Sequence, residues 1–340
     1  MKNIIFLLFG LLLLGCGVSK KLNVAEIASI YMEYNPGEDL NFGKEFEATI
    51  FARMMDGSEI DITKKNKLTL ISDDIKRLPS KNTFLITKKP LSFTDETINL
   101  SFSLTDKDQT FADAQEIKLN LRGALIIQSE GTDGINGVNQ RNRTGRAIFR
   151  DGRDGDNGGN GTFGTNADQL TCYIWRKGDY NYIAIDNLTK NEVWKYKFDT
   201  NGPLFINASG GNGGSGGRGG NGGNGQNGAK NKNNKILRVG DGGDAGNGGN
   251  GGNGGNGGVI NVFIHPSAAS LSSLITIVNL AGKGGRSGVA GSAGNPGLPL
   301  SGQLAGRKGR VGRRGVVGLN GVNGPPPSIN VVDFDFSQYE

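Results

Sequence analysis

The sequence predicts a mainly β protein that also carries helices of polyglycine or polyproline II geometry, and three observations predict it. Short runs within residues 22–128 alternate apolar and polar residues at period two. In the remaining chain glycine recurs at every third position, in separate segments. Apolar, β-branched and aromatic islands interrupt those segments. The 340 residues include 58 glycines, and a strict glycine period speaks for a regular backbone rather than for disorder.

The leader comes first. Residues 1–15 pair Lys2 with an apolar run from Ile4 to Leu14, too short to span a bilayer but suited to a signal peptide. The ending Leu13-Leu14-Gly15-Cys16 resembles the bacterial lipobox. That resemblance implies cleavage before Cys16, lipidation of its thiol and a short tether over 16–21. No aspartate follows Cys16, so an outer-membrane location is expected, with the membrane face left open.

Residues 22–128 are expected to form short antiparallel strands. Phe46, Ala48, Ile50 and Ala52 share one face, as do Ile98, Leu100, Phe102 and Leu104, and Ile117, Leu119 and Leu121. Turn signals such as Asn35-Pro36-Gly37 and Asp56-Gly57 separate the runs. About seven strands in about 100 residues resemble an Ig-like β-sandwich, a class that acts as spacer or docking module.

The glycine triplets run without a break over 131–137, 152–164, 210–228, 240–258, 282–297 and 306–324. Period three means three residues per turn and about 3.1 Å of rise per residue, with no hydrogen bond inside the helix. The backbone groups must then find partners on neighbouring helices or in water. A three-chain collagen-like helix and a single-chain bundle both meet that need. Three features favour the bundle: proline is scarce in the triplets, the segments are short and separated by turns, and 210–228 and 240–258 carry glycine at two of three positions. Those two segments are expected inside, with 306–324 at an edge. The domain scheme is thus a glycine-rich bundle over 129–340 of about six helices, with β segments inserted at 168–208, 259–281 and 328–336 as a cap.

The triplet pattern resembles polyglycine II bundle proteins, among them snow-flea antifreeze proteins and phage tail-tip adhesins, and also the collagen-like lipoproteins of Bacteroidota. The resemblance implies a fold more firmly than a function.

If each segment reverses the one before, the connectors sort to two ends. The apolar islands gather at one. The other collects Arg141, Arg143, Arg146 and Arg150, then Lys230, Lys232, Lys235 and Arg238, then Arg307, Lys308 and Arg310, with Asp151 as the one acidic loop residue. Such a basic tip suits an anionic glycan, or a surface protein. No specific nucleic-acid reader is expected; the net charge of +6 is mild.

Enzymatic chemistry is not expected. One histidine and two cysteines exclude a disulfide framework within one mature chain and a Cys/His zinc site. No phosphate-binding loop motif occurs, and asparagine stands where calcium-binding nonapeptides need aspartate. No metal, cofactor or catalytic residue is assigned. Trp175, Trp194, Tyr182 and Tyr196 can form core or a sugar platform. Cys172 reads as a buried thiol, and His265 has no partner visible in sequence. The expected role is a surface adhesin; a structural spacer in an outer-membrane assembly is the alternative.

Overall fold

The structure, a computed structural model, describes residues 22–143 and 151–340 except 66, 80 and 81. The leader, Cys16, Arg146 and Arg150 lie outside the described residues. The described chain is β-rich, with helix confined to three short 3-10 turns.

The strands of the first part are β1 (Ile27–Tyr34), β2 (Glu45–Met54), β3 (Glu59–Asp61), β4 (Leu68–Ile71), β5 (Ile75–Arg77), β6 (Thr83–Ile86), β7 (Thr97–Asp106) and β8 (Gln109–Lys118). They form two antiparallel sheets, β1-β2-β6-β5 with β3 beside β2, and β4-β7-β8. The alternating residues of β2 and β7 bury between them. The free edge of β1 is covered by side chains of β8: the Ile30 and Met32 amides donate to Asp113 Oδ2 and Gln115 Oε1 at 2.8 and 2.7 Å. An edge so occupied cannot recruit a foreign strand. The alternation of Ile117, Leu119 and Leu121 outlasts β8. All three are buried, but Leu121 has φ +57°, and the chain turns there.

The second part adds β9 (Leu125–Gln128), β10 (Leu170–Lys177), β11 (Tyr180–Asn187), β12 (Glu192–Asp199), β13 (Leu204–Asn207), the hairpin β14 (Ala229–Lys230) and β15 (Ile236–Leu237), then β16 (Ile260–Ile264), β17 (Ile275–Val278) and β18 (Ser328–Val331). The connector 165–209 divides between sheets. One sheet runs β12-β11-β10-β16-β18 and the other β17-β13-β9. Strands β9, β13 and β17 are mutually parallel, and so are β10, β16 and β18.

Each parallel strand meets one extended glycine-rich segment. Segments 1 (131–143), 3 (209–228) and 5 (280–298) leave β9, β13 and β17. Segments 2 (151–167), 4 (240–258) and 6 (306–324) return to β10, β16 and β18. Hydrogen bonds join 1, 3 and 5 into one parallel layer and 2, 4 and 6 into another, antiparallel to it. Segments 3 and 4 each bond to four neighbours; segments 1 and 6 occupy opposite edges.

Strand register continues into the glycine layers. β9 and β13 pair residues 79 apart, and so do segments 1 and 3. β13 and β17 pair at 71, as do segments 3 and 5. β10 and β16 pair at 90, as do segments 2 and 4. Segments 4 and 6 pair at 66, but Asn261 meets Ser328 at 67. The extra residue enters between Val322 and Ser328, where Pro325, Pro326 and Pro327 offer no amides to a ladder.

Period three is explained by where each amide points. In segment 3 the Gly213 amide donates to Lys283 O of segment 5 at 2.8 Å, and the Gly214 amide to Thr162 O of segment 2 at 2.9 Å. The third amide, of Ser215, donates to Asn136 Oδ1 of segment 1 at 2.7 Å. Asparagine and aspartate before each glycine therefore act as side-chain rungs. Asn160 accepts from Asn250, and Asn250 from Val316, each at 2.8 Å. The last segment of each layer has no further segment to serve. There the rung positions largely lose Asn and Asp and hold residues such as Lys283 and Arg286, or Arg310 and Leu319.

Asn250→Ala is expected to cost about 1 kcal/mol by leaving the Val316 amide without its acceptor. Asn250→Asp should keep most of the stability, because aspartate fills the same role at Asp154 and Asp244. Arg313→Ala, which removes no rung, is the control. Denaturant midpoints of the three variants check the ordering.

The two parts share one hydrophobic core. Gly43, at φ +75°, makes the close approach: a Cβ there would lie 1.9 Å from Ile126 O. Phe42 O accepts from the Ile126 amide, and the Phe42 ring meets Tyr196 edge-on at 5.1 Å. Lys89 caps the Trp194 ring at 4.0 Å, and burial pushes its ammonium below the usual lysine range.

Candidate functional site

The far ends of the segments collect the exposed basic groups. The β14–β15 hairpin turns through 231–235, where Asn231 Oδ1 accepts the Asn233 and Lys235 amides and Asn234 takes φ +58°. A side-chain oxygen shaping such a turn leaves Lys230, Lys232 and Lys235 to solvent. Arg307, Lys308 and Arg310 begin segment 6 nearby in the fold; the Arg307 and Arg310 amides are held by Asp241 Oδ1 and Asp244 Oδ1 at 2.8 and 2.7 Å. Their side chains form no ion pair among the described residues.

The tip is less uniformly basic than its loops suggest. Arg238 is held by Asp151 at 2.6 Å, and Arg143 by Asp156 at 2.5 Å. The Asp241 amide and Arg238 hold the Asp151 carboxyl below its usual range. Asp154, Asp241 and Asp244 also lie in the first triplets beside the tip. Arg141 is exposed and unpaired among the described residues. The basic surface instead continues along segment 6 through Arg313 and Arg314, near Arg286 of segment 5. Arg314 Nε reaches Ser287 Oγ at 2.9 Å. The sequence signal for this strip was the charge filling both non-glycine positions of Gly306-Arg307-Lys308-Gly309, repeated at Gly312-Arg313-Arg314-Gly315.

The other candidates resolve into structure. Trp175, Trp194 and Tyr196 are buried. Tyr182 stacks on Trp175 at 5.9 Å, and Phe336 of the C-terminal tail stacks on the same indole at 5.6 Å. His265 finds a partner 68 residues on, Asp333, at 3.0 Å, with Phe334 and Phe336 edge-on to its ring. Cys172 is fully buried, and burial pushes its thiol up to about 12, far from the reactive thiolate. Among the described residues no group of three His, Cys, Asp or Glu side chains is placed to hold a metal ion. No helix among them is long and apolar enough to cross a membrane.

One group that sequence reasoning missed organises the base. Asp168 is 5 % exposed and accepts from Ser129 Oγ at 2.7 Å, Asn187 Nδ2 at 2.8 Å and Lys190 Nζ at 2.7 Å. These donors come from the entry to segment 1, the end of β11 and the turn after it.

Fold and surface together define a β-rich protein with glycine-rich layers and a charged edge as its main exposed chemistry. Comparison with models of known families and with curated proteins finds no match.

Proposed function

We propose that this chain is a non-enzymatic cell-envelope lipoprotein that presents basic groups to a polyanion, such as an acidic glycan, at the end of a stiff glycine-rich bundle. In this reading residues 1–15 are a cleaved leader, Cys16 carries the lipid, and the outer membrane is the anchoring surface. Residues 22–128 are an Ig-like sandwich. Segments 1–6 are polyglycine II helices in a single-chain bundle. In segment 3 the three amides of a triplet reach three different neighbouring segments, all of the same chain, which supports that assignment over a three-chain helix.

The observation that carries the functional reading is the set of exposed cations without acidic partners among the described residues, Lys230, Lys232, Lys235, Arg307, Lys308 and Arg310, at the end opposite the N-terminal sheets. At about 3.1 Å per residue the bundle holds them about 50 Å from the base. Opposed charge, not a pocket, then drives recognition, and salt should weaken it.

The test uses the full chain and a sulfated polysaccharide as probe. Lys232→Ser, Lys235→Ser, Lys308→Ser and Arg310→Ser together are expected to weaken binding at least tenfold, about 1.4 kcal/mol, and to flatten its salt dependence. Unchanged affinity would sink the reading. A spacer role is the second reading, favoured by the strand register that runs on into both layers.

A further inference from the structure

The chain contains fourteen Asn-Gly steps, and thirteen of them lie in the glycine-rich segments. An Asn-Gly step is chemically fragile in a free chain. The glycine nitrogen can attack the asparagine Cγ, because no Cβ on the glycine hinders the approach. A bond forms between that nitrogen and Cγ, and the side-chain nitrogen leaves as ammonia with the proton of the glycine N–H. Water then opens the cyclic imide to aspartate or to isoaspartate. Aspartate can still serve as a rung, as Asp154 does. Isoaspartate lengthens the backbone by one carbon and would break the period of three.

In the bundle both reacting groups are held apart. Asn250 Oδ1 accepts the Val316 amide, and the Gly251 amide donates to Val316 O, both at 2.8 Å. Asn136 and Gly137 grip Ser215 in the same way, both at 2.7 Å. Eleven of the thirteen steps hold the N–H and C=O of one neighbouring residue like this. The two in segment 6, at Asn320 and Asn323, each use two residues of the neighbouring strand and segment, with the same result. The asparagine side chain is thus drawn across to a neighbour, and the glycine N–H is spent on a carbonyl there. Attack requires both bonds of the step to open, so the rate falls with the fraction of time that the lattice is open.

We infer that the glycine lattice shields its own asparagines from deamidation, and that Asn201 is the site where this chain deamidates while folded. Asn201-Gly202 is the one such step outside the segments, in the turn after β12. Asn201 is exposed, and among the described residues its side chain makes no hydrogen bond. The Gly202 amide is engaged only within the turn, donating to Asp199 O at 3.0 Å. Nothing draws the Asn201 Cγ away from that nitrogen, and opening one exposed turn costs less than parting two segments. The dipeptide that builds the lattice is therefore safe only inside it. A chain that loses its bundle becomes open to permanent damage at thirteen places.

The test incubates the full chain in mildly alkaline buffer at body temperature, folded in one sample and unfolded by guanidinium chloride in the other. Peptide mapping by mass spectrometry then follows conversion of each asparagine to aspartate or isoaspartate. In the folded sample Asn201 is expected to convert at least tenfold faster than any Asn-Gly step of the segments. In the unfolded sample the segment steps should catch up with Asn201. Val316→Pro gives a local check. Proline suits the extended backbone but removes the amide that Asn250 holds, while its carbonyl still accepts from Gly251. Conversion at Asn250 should rise at least fivefold in the folded variant, and conversion at Asn212, which Val316 does not touch, should stay unchanged and so report that the bundle is intact. Segment steps that convert equally fast folded and unfolded, an Asn201 no faster than they are, or an unchanged Asn250 beside Pro at 316 overturns the proposal.

Discussion

Gly252→Ala is expected to lower the thermal midpoint by about 8 °C. Gly252 sits in segment 4, its amide donating to Gly214 O of segment 3 and its carbonyl accepting from Gly285 of segment 5, both at 2.8 Å. A Cβ there would lie 1.9 Å from Thr162 O and 2.4 Å from its carbonyl carbon. Those are backbone atoms, which cannot swing aside as a side chain would. Segments 2 and 4 would have to separate, and the separation would pull on bonds to segments 3 and 5. Overpacking of this kind costs about 3 kcal/mol, and each kcal/mol moves the midpoint by about 2–4 °C in a domain of this size. Differential scanning calorimetry of the variant beside Asn250→Ala checks the result. If the glycine variant is the more stable of the two, the close-packed account of these layers is wrong.

Asp168→Ala is expected to cost about 2–3 kcal/mol, because it strips the acceptor from two buried or half-buried neutral donors and from the Lys190 ammonium at once. Lys190 is half exposed and recovers part of its hydration, which keeps the loss below that of a fully buried pair. Burial alone would push the Asp168 carboxyl up, but hydrogen bonds from Lys190, Ser129 and Asn187 outweigh it and hold the group below its ordinary range. The folded value therefore lies below the unfolded one, near 3.9. The charged form stabilises the fold fully above about pH 4, and that stabilisation fades as pH falls below it. Denaturant unfolding at pH 5 and pH 3 should show a larger loss for the unaltered chain than for Asp168→Asn. Equal losses would mean that Asp168 is not the group that titrates.

The physical reasons for success and failure in reading the chain differ from element to element. Phe46 to Ala52 and Ile98 to Leu104 announce their strands because a pleated backbone sends alternate side chains to opposite faces, and one face is buried. Of the β segment expected over 328–336, only the first four residues form a strand. The strand is Ser328–Val331, while Phe334 leaves the sheet to pack against Tyr173 and His265. Composition alone cannot separate a residue that pairs from one that only packs. The distal cations were visible, but the pairing of Arg238 with Asp151 was not, since the two are 87 positions apart in the chain. Asp168 carried no local signal, because all three of its donors come from elsewhere in the chain.

What the sequence by itself determined is the spacing of contacts along each segment. A glycine at every third position marks where a backbone must be approached, and a second glycine in the triplet marks a segment approached from two sides. Those are local steric facts, legible in 210–228 and 240–258 without any partner in view. What only the tertiary structure decided is which segments meet and in what register. That choice is made at the base, where β9, β13 and β17, and β10, β16 and β18, align by apolar burial and hand on their offsets of 79, 71 and 90 to the glycine layers. Glycine triplets are nearly identical to one another and cannot choose among equivalent alignments. The sheets can, because a slip of one residue would turn their buried side chains to the opposite face.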